Sequence, residues 1–291
     1  MRPIYAETCV DAWLQGCDHL LAQEQDAWRD YNLVSEIANP LSLPPNDRAV
    51  VDLLSRFLIE RNGLPFSTVV NTIFPAQLYQ RHGAAGVYDR YVSDVLPQVL
   101  KHPDCAWGTY AQRILCRVDT DGSQFSPLKS LVTKLKSELA ISGTNRGTYE
   151  LGTIDPLLDI PIYDPASSDR NRPNGGPCLS HISVKLTADH RVMLTAVYRS
   201  HYWVQRTLGN LFGLTHLSTS SRRRPDSKWA PSSATRRWHS SRLTRNVGTA
   251  GRCVISWRVA TPSAVSWPRR RRTASDATIL PPRPAMDAAR A

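Results

Sequence analysis

The chain contains no run of eighteen consecutive apolar residues, so no stretch reads as a transmembrane helix. Its start, Met1-Arg2-Pro3-Ile4-Tyr5-Ala6-Glu7, lacks the apolar h-region of a secretory signal. Cysteine is sparse: six residues, at 9, 17, 105, 116, 178 and 253, with no C-x-x-C pair and no zinc-type spacing. They read as reduced thiols in a cytoplasmic protein, with no metal centre. No internal repeat is present.

Acidic residues are almost missing from one end. From Ser218 to Ala291 there are 16 Lys and Arg against 3 Asp and Glu, which leaves 20 basic and 22 acidic side chains for the first 217 residues. The formal net charge of +11 is therefore a property of the tail. The near-neutral body suits an ordinary enzyme and argues against a nucleic-acid-binding surface there. The tail is rich in Arg, Ser, Thr, Pro and Ala, with runs at Arg222-Arg223-Arg224 and Arg269-Arg270-Arg271-Arg272. Four of the eight tryptophans, at 229, 238, 257 and 267, fall in it without helical or strand period.

Three readings of the tail stand side by side. It is a basic arm that neutralises phosphates and stacks bases on Trp, a disordered end, or a translation out of frame. The third rests on codon degeneracy. Ser218 to Thr244, back-translated with GC-rich codons and read two bases later, yields HFVAAEAGLEVGTLVCHATLAQLEID under one permitted choice, without a stop. That string has the pattern of a helix, a Gly turn and an apolar strand. The chain thus divides into a domain over 1–217 and a basic disordered tail over 218–291.

Within the domain the hydrophobic periods are clear. Val10, Trp13, Leu14, Cys17 and Leu20 follow an N-cap at Thr8 and predict an amphipathic helix. A second helix is expected from Asp47 to Glu60, with Val50, Val51, Leu54, Phe57 and Leu58 inward and Asn62-Gly63 ending it. Val69 to Phe74 fits a short strand or a helix start. Tyr88, Tyr91, Val95 and Val99 predict another helix. Ser126-Pro127 starts one that carries Leu128, Leu131, Val132, Leu135 and Leu139. A turn-rich loop from Leu157 to Arg172 leads to Pro177-Cys178.

The stretch from Gly175 to Leu214 organises the rest. His181 to Leu186 and Met193 to Tyr198 alternate with period 2, as paired strands do, around a turn at Ala188-Asp189-His190. A helix then carries Val204, Leu208, Leu211 and Phe212 on one face. Cys178 stands at the entrance of the first strand, Arg199-Ser200 at the end of the second, and Asn210 in the helix, eleven positions past Arg199. Cysteine is the most nucleophilic side chain near neutral pH, and a guanidinium nearby favours its thiolate. Arginine also grips phosphate bidentately. The asparagine amide offers one donor and one acceptor face. Each residue also has an ordinary reading, as a buried thiol, a surface ion pair and a satisfied helix asparagine.

This ordered set resembles the thymidylate synthase and pyrimidine hydroxymethylase family. There a Pro-Cys thiolate attacks C6 of the pyrimidine, an Arg-Ser pair holds the nucleotide phosphate, and an asparagine reads the base. Pro177-Cys178, Tyr198-Arg199-Ser200 and Asn210 match these in order. Upstream, Trp107-Gly108-Thr109-Tyr110-Ala111-Gln112-Arg113 is similar to the family's glycine-tyrosine segment, in which Tyr110 orients the ring. Arg146 resembles the phosphate-binding arginine lent by the partner subunit. The likeness covers about residues 100 to 216.

The resemblance implies an α+β fold, a mixed sheet with flanking helices that dimerises sheet to sheet. It also implies transfer of a one-carbon unit from 5,10-methylenetetrahydrofolate to C5 of a pyrimidine nucleotide. Departures are definite. Val69 to Gln80 has no Glu where the family's catalytic glutamate belongs, and that group manages proton transfer. Tyr202 stands where an aspartate binds the pterin, and no Arg-rich phosphate loop lies near the N-terminus. The alternative is a catalytically inactive synthase-like scaffold whose basic tail binds nucleic acid.

Overall fold

In the computed structural model, which describes residues 3–23, 28–101, 108–141, 149–155, 159, 177–186, 192–219, 249–250 and 253–259, the first half follows the sequence pattern closely. After a short strand β1 (Ile4–Ala6), helix α1 (Cys9–Leu21) starts where its cap is. Thr8 Oγ1 accepts the N–H of Asp11 at 3.1 Å. Val10, Trp13 and Leu20 are buried as expected, whereas Leu14 is 42% exposed.

Strand β2 (Leu33–Ile37) leads to helix α2 (Pro45–Glu60), which buries Val51, Leu54 and Leu58. Asn62, not Gly63, takes the left-handed turn, at φ 55°. Gly63 N–H then returns to Leu58 O at 2.7 Å. The ambiguous stretch around Val69 is helix α3 (Phe66–Ile73), followed by α4 (Ala76–Ala85). The helix expected through Tyr88 and Val99 is largely π-helical, over Gly86–Val95, with one α-turn, α5 (Leu96–Val99).

Helix α6 (Tyr110–Leu115) is capped by Thr109, whose hydroxyl accepts from Gln112 N–H. Tyr91 Oη lies 2.8 Å from that same hydroxyl, so the π-helical stretch anchors the start of α6. A hairpin of β3 (Arg117–Val118) and β4 (Gln124–Phe125) follows. Then comes α7 (Pro127–Ile141), which buries Leu128, Leu131, Val132 and Leu135.

The second half supplies most of the main sheet: β5 (Glu150–Gly152), β6 (Leu179–Leu186) and β7 (Val192–Tyr198). A short β8 (His201–Tyr202) and a π-helical stretch, Trp203–Thr207, lead to α8 (Leu208–Thr219). The turn expected at Ala188-Asp189-His190 lies outside the described residues. In β7 Leu194, Ala196 and Tyr198 are buried between half-buried Met193, Thr195 and Val197, the period-2 alternation of a sheet covered on one face. Helices α7 and α8 pack against the buried face, where Leu128, Leu135 and Leu217 meet Leu151, Val184 and Leu194 across a shallow apolar cleft. The other face keeps Tyr5, Glu36, Thr195 and Lys185 accessible.

Helix α8 approaches α3 closely because two of its residues have no side chain. A Cβ on Gly209 would stand 2.6 Å from Val69 Cγ1, and one on Gly213 2.6 Å from Ile73 Cβ.

The six-stranded sheet has the order β1-β2-β10-β7-β6-β5. Its last member in chain order comes from within 218–291, the stretch expected to be a disordered tail, and corrects that expectation for residues 253–259. Strand β10 (Cys253–Val259) pairs parallel with β2 and antiparallel with β7. A two-residue strand, β9 (Thr249–Ala250), pairs with β8. The first compact unit accordingly runs from Met1 to Ala260, not to residue 217. The second unit, Thr261–Ala291, falls outside the described residues, as do 220–248. The mixed strand directions and packed helices agree with the α+β class. Among the described residues no helix is long and apolar enough to cross a membrane.

The central place of β10 makes a direct prediction. A chain ending at Ala260 keeps the sheet and unfolds cooperatively in urea. A chain ending at Thr219 leaves β2 and β7 as unpaired edges, which template association, and elutes as aggregate in gel filtration. Equal behaviour of the two truncations would remove β10 from the fold.

Candidate active site around Cys178

Cys178 sits one residue before β6, half-buried against the core. Its backbone is held by Tyr110, the first residue of α6. The Tyr110 hydroxyl accepts the N–H of Cys178 at 3.0 Å and that of Leu179 at 3.4 Å. Burial, and then the neighbouring sulfur, push the Tyr110 phenol above its ordinary range, so it stays protonated.

Arg199 closes the other side. Its N–H donates to the Cys178 carbonyl at 2.9 Å, and its Nε donates to the Pro177 carbonyl at 3.0 Å. The side chain is exposed at the end of β7, with half-buried Ser200 next to it. Three residues named from sequence thus meet at one strand end, because β6 and β7 are antiparallel neighbours whose ladder pairs Leu179 with Tyr198.

Asn210 is placed differently. It is 4% exposed within α8, and its amide Nδ2 lies 2.7 Å from His201 Nε2. His201 stacks on Tyr198 with centroids 4.0 Å apart and planes 9° apart. Burial alone drives the His201 imidazole down to about 3, so it is neutral. With Nε2 accepting from the Asn210 amide, the proton sits on Nδ1, which has no hydrogen-bond partner among the described residues. Asn210 therefore serves a buried pair here. Arg146, Cys105 and Trp107 lie outside the described residues.

Sequence reading missed a second layer behind Cys178. Thr153, fully buried, donates its hydroxyl to the Leu179 carbonyl and its N–H to the Ser180 carbonyl at 3.1 Å. Arg113 donates to the Thr153 carbonyl at 3.0 Å and pairs in two-point fashion with Asp159. Nothing in the local pattern links positions 113, 153 and 159, which lie far apart along the chain. The only available sign was the arginine inside the quoted Tyr110 to Arg113 segment. His181, within β6, contacts the Glu150 carboxylate at 2.7 Å, at the sheet edge.

The arrangement offers a half-buried thiol, a protonated phenol and a tethered guanidinium within one strand end. Such a set can supply a nucleophile, a proton and a contact for an anionic group. No family model matches this chain, and neither a curated protein nor a solved structure matches it.

The buried imidazole sets a pH limit. Its folded pKa, about 3, is depressed from 6.5. The unfolded chain therefore binds a proton below pH 6.5 that the folded chain refuses. Stability is full above 6.5 and falls by about 1.4 kcal/mol per pH unit below it. Half-buried His216, also depressed by desolvation, acts in the same direction. Asp30 and Glu150 are partly desolvated, yet hydrogen bonds hold both carboxyls below their usual range. Their contribution fades only at lower pH. Urea denaturation at pH 6.5 and pH 5 should show a loss of about 2 kcal/mol from His201 alone. His201→Gln should flatten that slope, and an unchanged slope would rule out a buried neutral imidazole.

Proposed function

We propose that the chain is a thymidylate synthase-like enzyme that activates C5 of a pyrimidine nucleotide by adding the Cys178 thiolate to C6. Transfer of a one-carbon unit to C5 is the step such an adduct prepares. One observation supports the reading: Tyr110 and Arg199, chosen with Cys178 by motif order alone, each hydrogen-bond to the Pro177-Cys178 backbone, Tyr110 accepting the Cys178 N–H and Arg199 donating to the Cys178 and Pro177 carbonyls. The Cys178 sulfur forms the bond to C6, and the π electrons move toward C5 and O4. C5 then takes up a proton and releases its original hydrogen as a proton. Expulsion of the thiolate restores the double bond. Arg199, with Arg146 from a partner subunit, holds the phosphate. Ser200, next to Arg199, would share the phosphate, and Asn210 would have to exchange His201 for the base edge to read it.

The residues present do not fit methylenetetrahydrofolate. Tyr202, 54% exposed, stands where the resemblance expects an aspartate for the pterin, and a phenol offers no carboxylate there. Homodimer formation in the cytoplasm belongs to the same proposal. Its support is the accessible sheet face bearing half-buried Met193, Thr195 and Val197, which suits a second copy better than open water. Thr195→Arg should convert such a dimer to monomer in sedimentation velocity, while a wild-type monomer at micromolar concentration would end the dimer proposal.

The reaction is tested with dUMP and dCMP labelled at C5. Release of label should occur with one of the two, and Cys178→Ser should lower the rate by about a hundredfold or more. Label release that persists in Cys178→Ser excludes Cys178 as nucleophile. Absence of release with both nucleotides in the wild type favours the inactive scaffold.

A further inference from the structure

Residues 178–180 are gripped by α6 from two directions. Tyr110 takes the N–H groups of Cys178 and Leu179. Arg113, three residues on and therefore on the same side of the helix, reaches the carbonyls of Leu179 and Ser180 through Thr153. The guanidinium is fixed in turn by Asp159, Nη2 to Oδ1 at 2.8 Å, with the two side chains only 11% and 6% exposed.

This grip falls where the β6–β7 ladder breaks. The register shifts between Leu179 and His181, leaving Ser180 without a ladder partner. Its side chain still reaches β7, Oγ donating to the Val197 carbonyl at 2.9 Å, but its backbone is out of the ladder, and bulges re-aim nearby side chains. The backbone carbonyl of Ser180 is held from the other side, by the Thr153 N–H at 3.1 Å. Buried Leu179 and Ile182, three apart where strict alternation would put them two apart, carry the mark of the shift.

We propose that Arg113, locked by Asp159 and acting through Thr153, is the positioning residue that sets the backbone at Cys178–Ser180 and hence the aim of the Cys178 thiol. The planar fork matters. It serves a carboxylate and a carbonyl at once in fixed geometry, which an ammonium cannot do. The inference rests on reading Cys178 as the nucleophile, but not on which ring it attacks.

The test uses the full-length chain and iodoacetamide, with alkylation of each cysteine followed by mass spectrometry. Cys9 and Cys17 report global opening, because burial pushes both thiols up to about 12. Arg113→Lys and Thr153→Val should slow alkylation of Cys178 by about tenfold, with Cys9 and Cys17 unchanged. Thr153→Ser, which keeps the hydroxyl, should restore the rate. In C5-hydrogen release the same variants should lower kcat and leave KM unchanged. Wild-type alkylation of Cys178 in Arg113→Lys and Thr153→Val overturns the proposal, whatever happens to their melting temperatures. Should Arg113→Lys unfold, the Thr153→Val and Thr153→Ser pair decides alone. Slowed alkylation without hydrogen release in the wild type removes the pyrimidine reading and leaves the positioning role. Normal release in wild type and variants removes the positioning role only.

Discussion

Two tryptophans 190 residues apart hold the ends of this domain together. Trp13 Nε1 donates to the Trp203 carbonyl at 3.0 Å, and Trp203 Nε1 donates to the Trp13 carbonyl at 3.0 Å. Each bond satisfies a buried polar group that would otherwise cost about 1–3 kcal/mol. The exchange is possible only because α1 carries Gly16. A Cβ there would stand 2.0 Å from Trp203 Cζ2, so the indole lies directly on the helix backbone. Trp203 begins the π-helical stretch that delivers α8, and it follows Arg199 and His201 by a few residues. The clasp therefore fixes both the helix that fills the core and the strand end that carries the candidate site.

From that anchor the close approach of α8 to α3 follows. Gly209 and Gly213 let the backbones meet at side-chain distance, and the Phe66 and Phe212 rings close the contact edge to face, 5.3 Å between centroids. Asn210 lies between those glycines and turns to His201, so a polar pair is buried in the same layer. A buried imidazole kept neutral by its surroundings is costly in acid and tightly specified in space, since its partner must be present and correctly turned.

Much of the domain was legible in the chain. Thr8 and Ser126-Pro127 announced helix starts through capping chemistry that depends on a few adjacent residues. Strands β6 and β7 were visible because one face is covered and one is not, which imprints period 2 on the side chains. The gathering of Cys178 and Arg199 was also legible, since a hairpin brings its two outer ends together. Tyr110 was named through the motif order upstream, although nothing local required its hydroxyl to meet the Cys178 backbone. The π-helical stretches were not legible, because a one-residue insertion in a helix hardly disturbs the apolar repeat. Nor was Leu14, which sits at the border of its helix stripe and falls on the solvent side.

What the sequence by itself determined were the features governed by residues near one another: the helix caps, the hairpin, the near-neutral body and the candidate thiol beside its arginine. The tertiary structure alone decided the rest. It drew Cys253–Val259 from a basic tail into the centre of the sheet, where backbone pairing with β2 and β7 makes little demand on composition. It turned Asn210 inward to His201, and it joined Arg113, Thr153 and Asp159 behind the thiol. Those choices depend on which buried donors and acceptors meet once the core closes, and that pairing leaves no periodic trace along the chain.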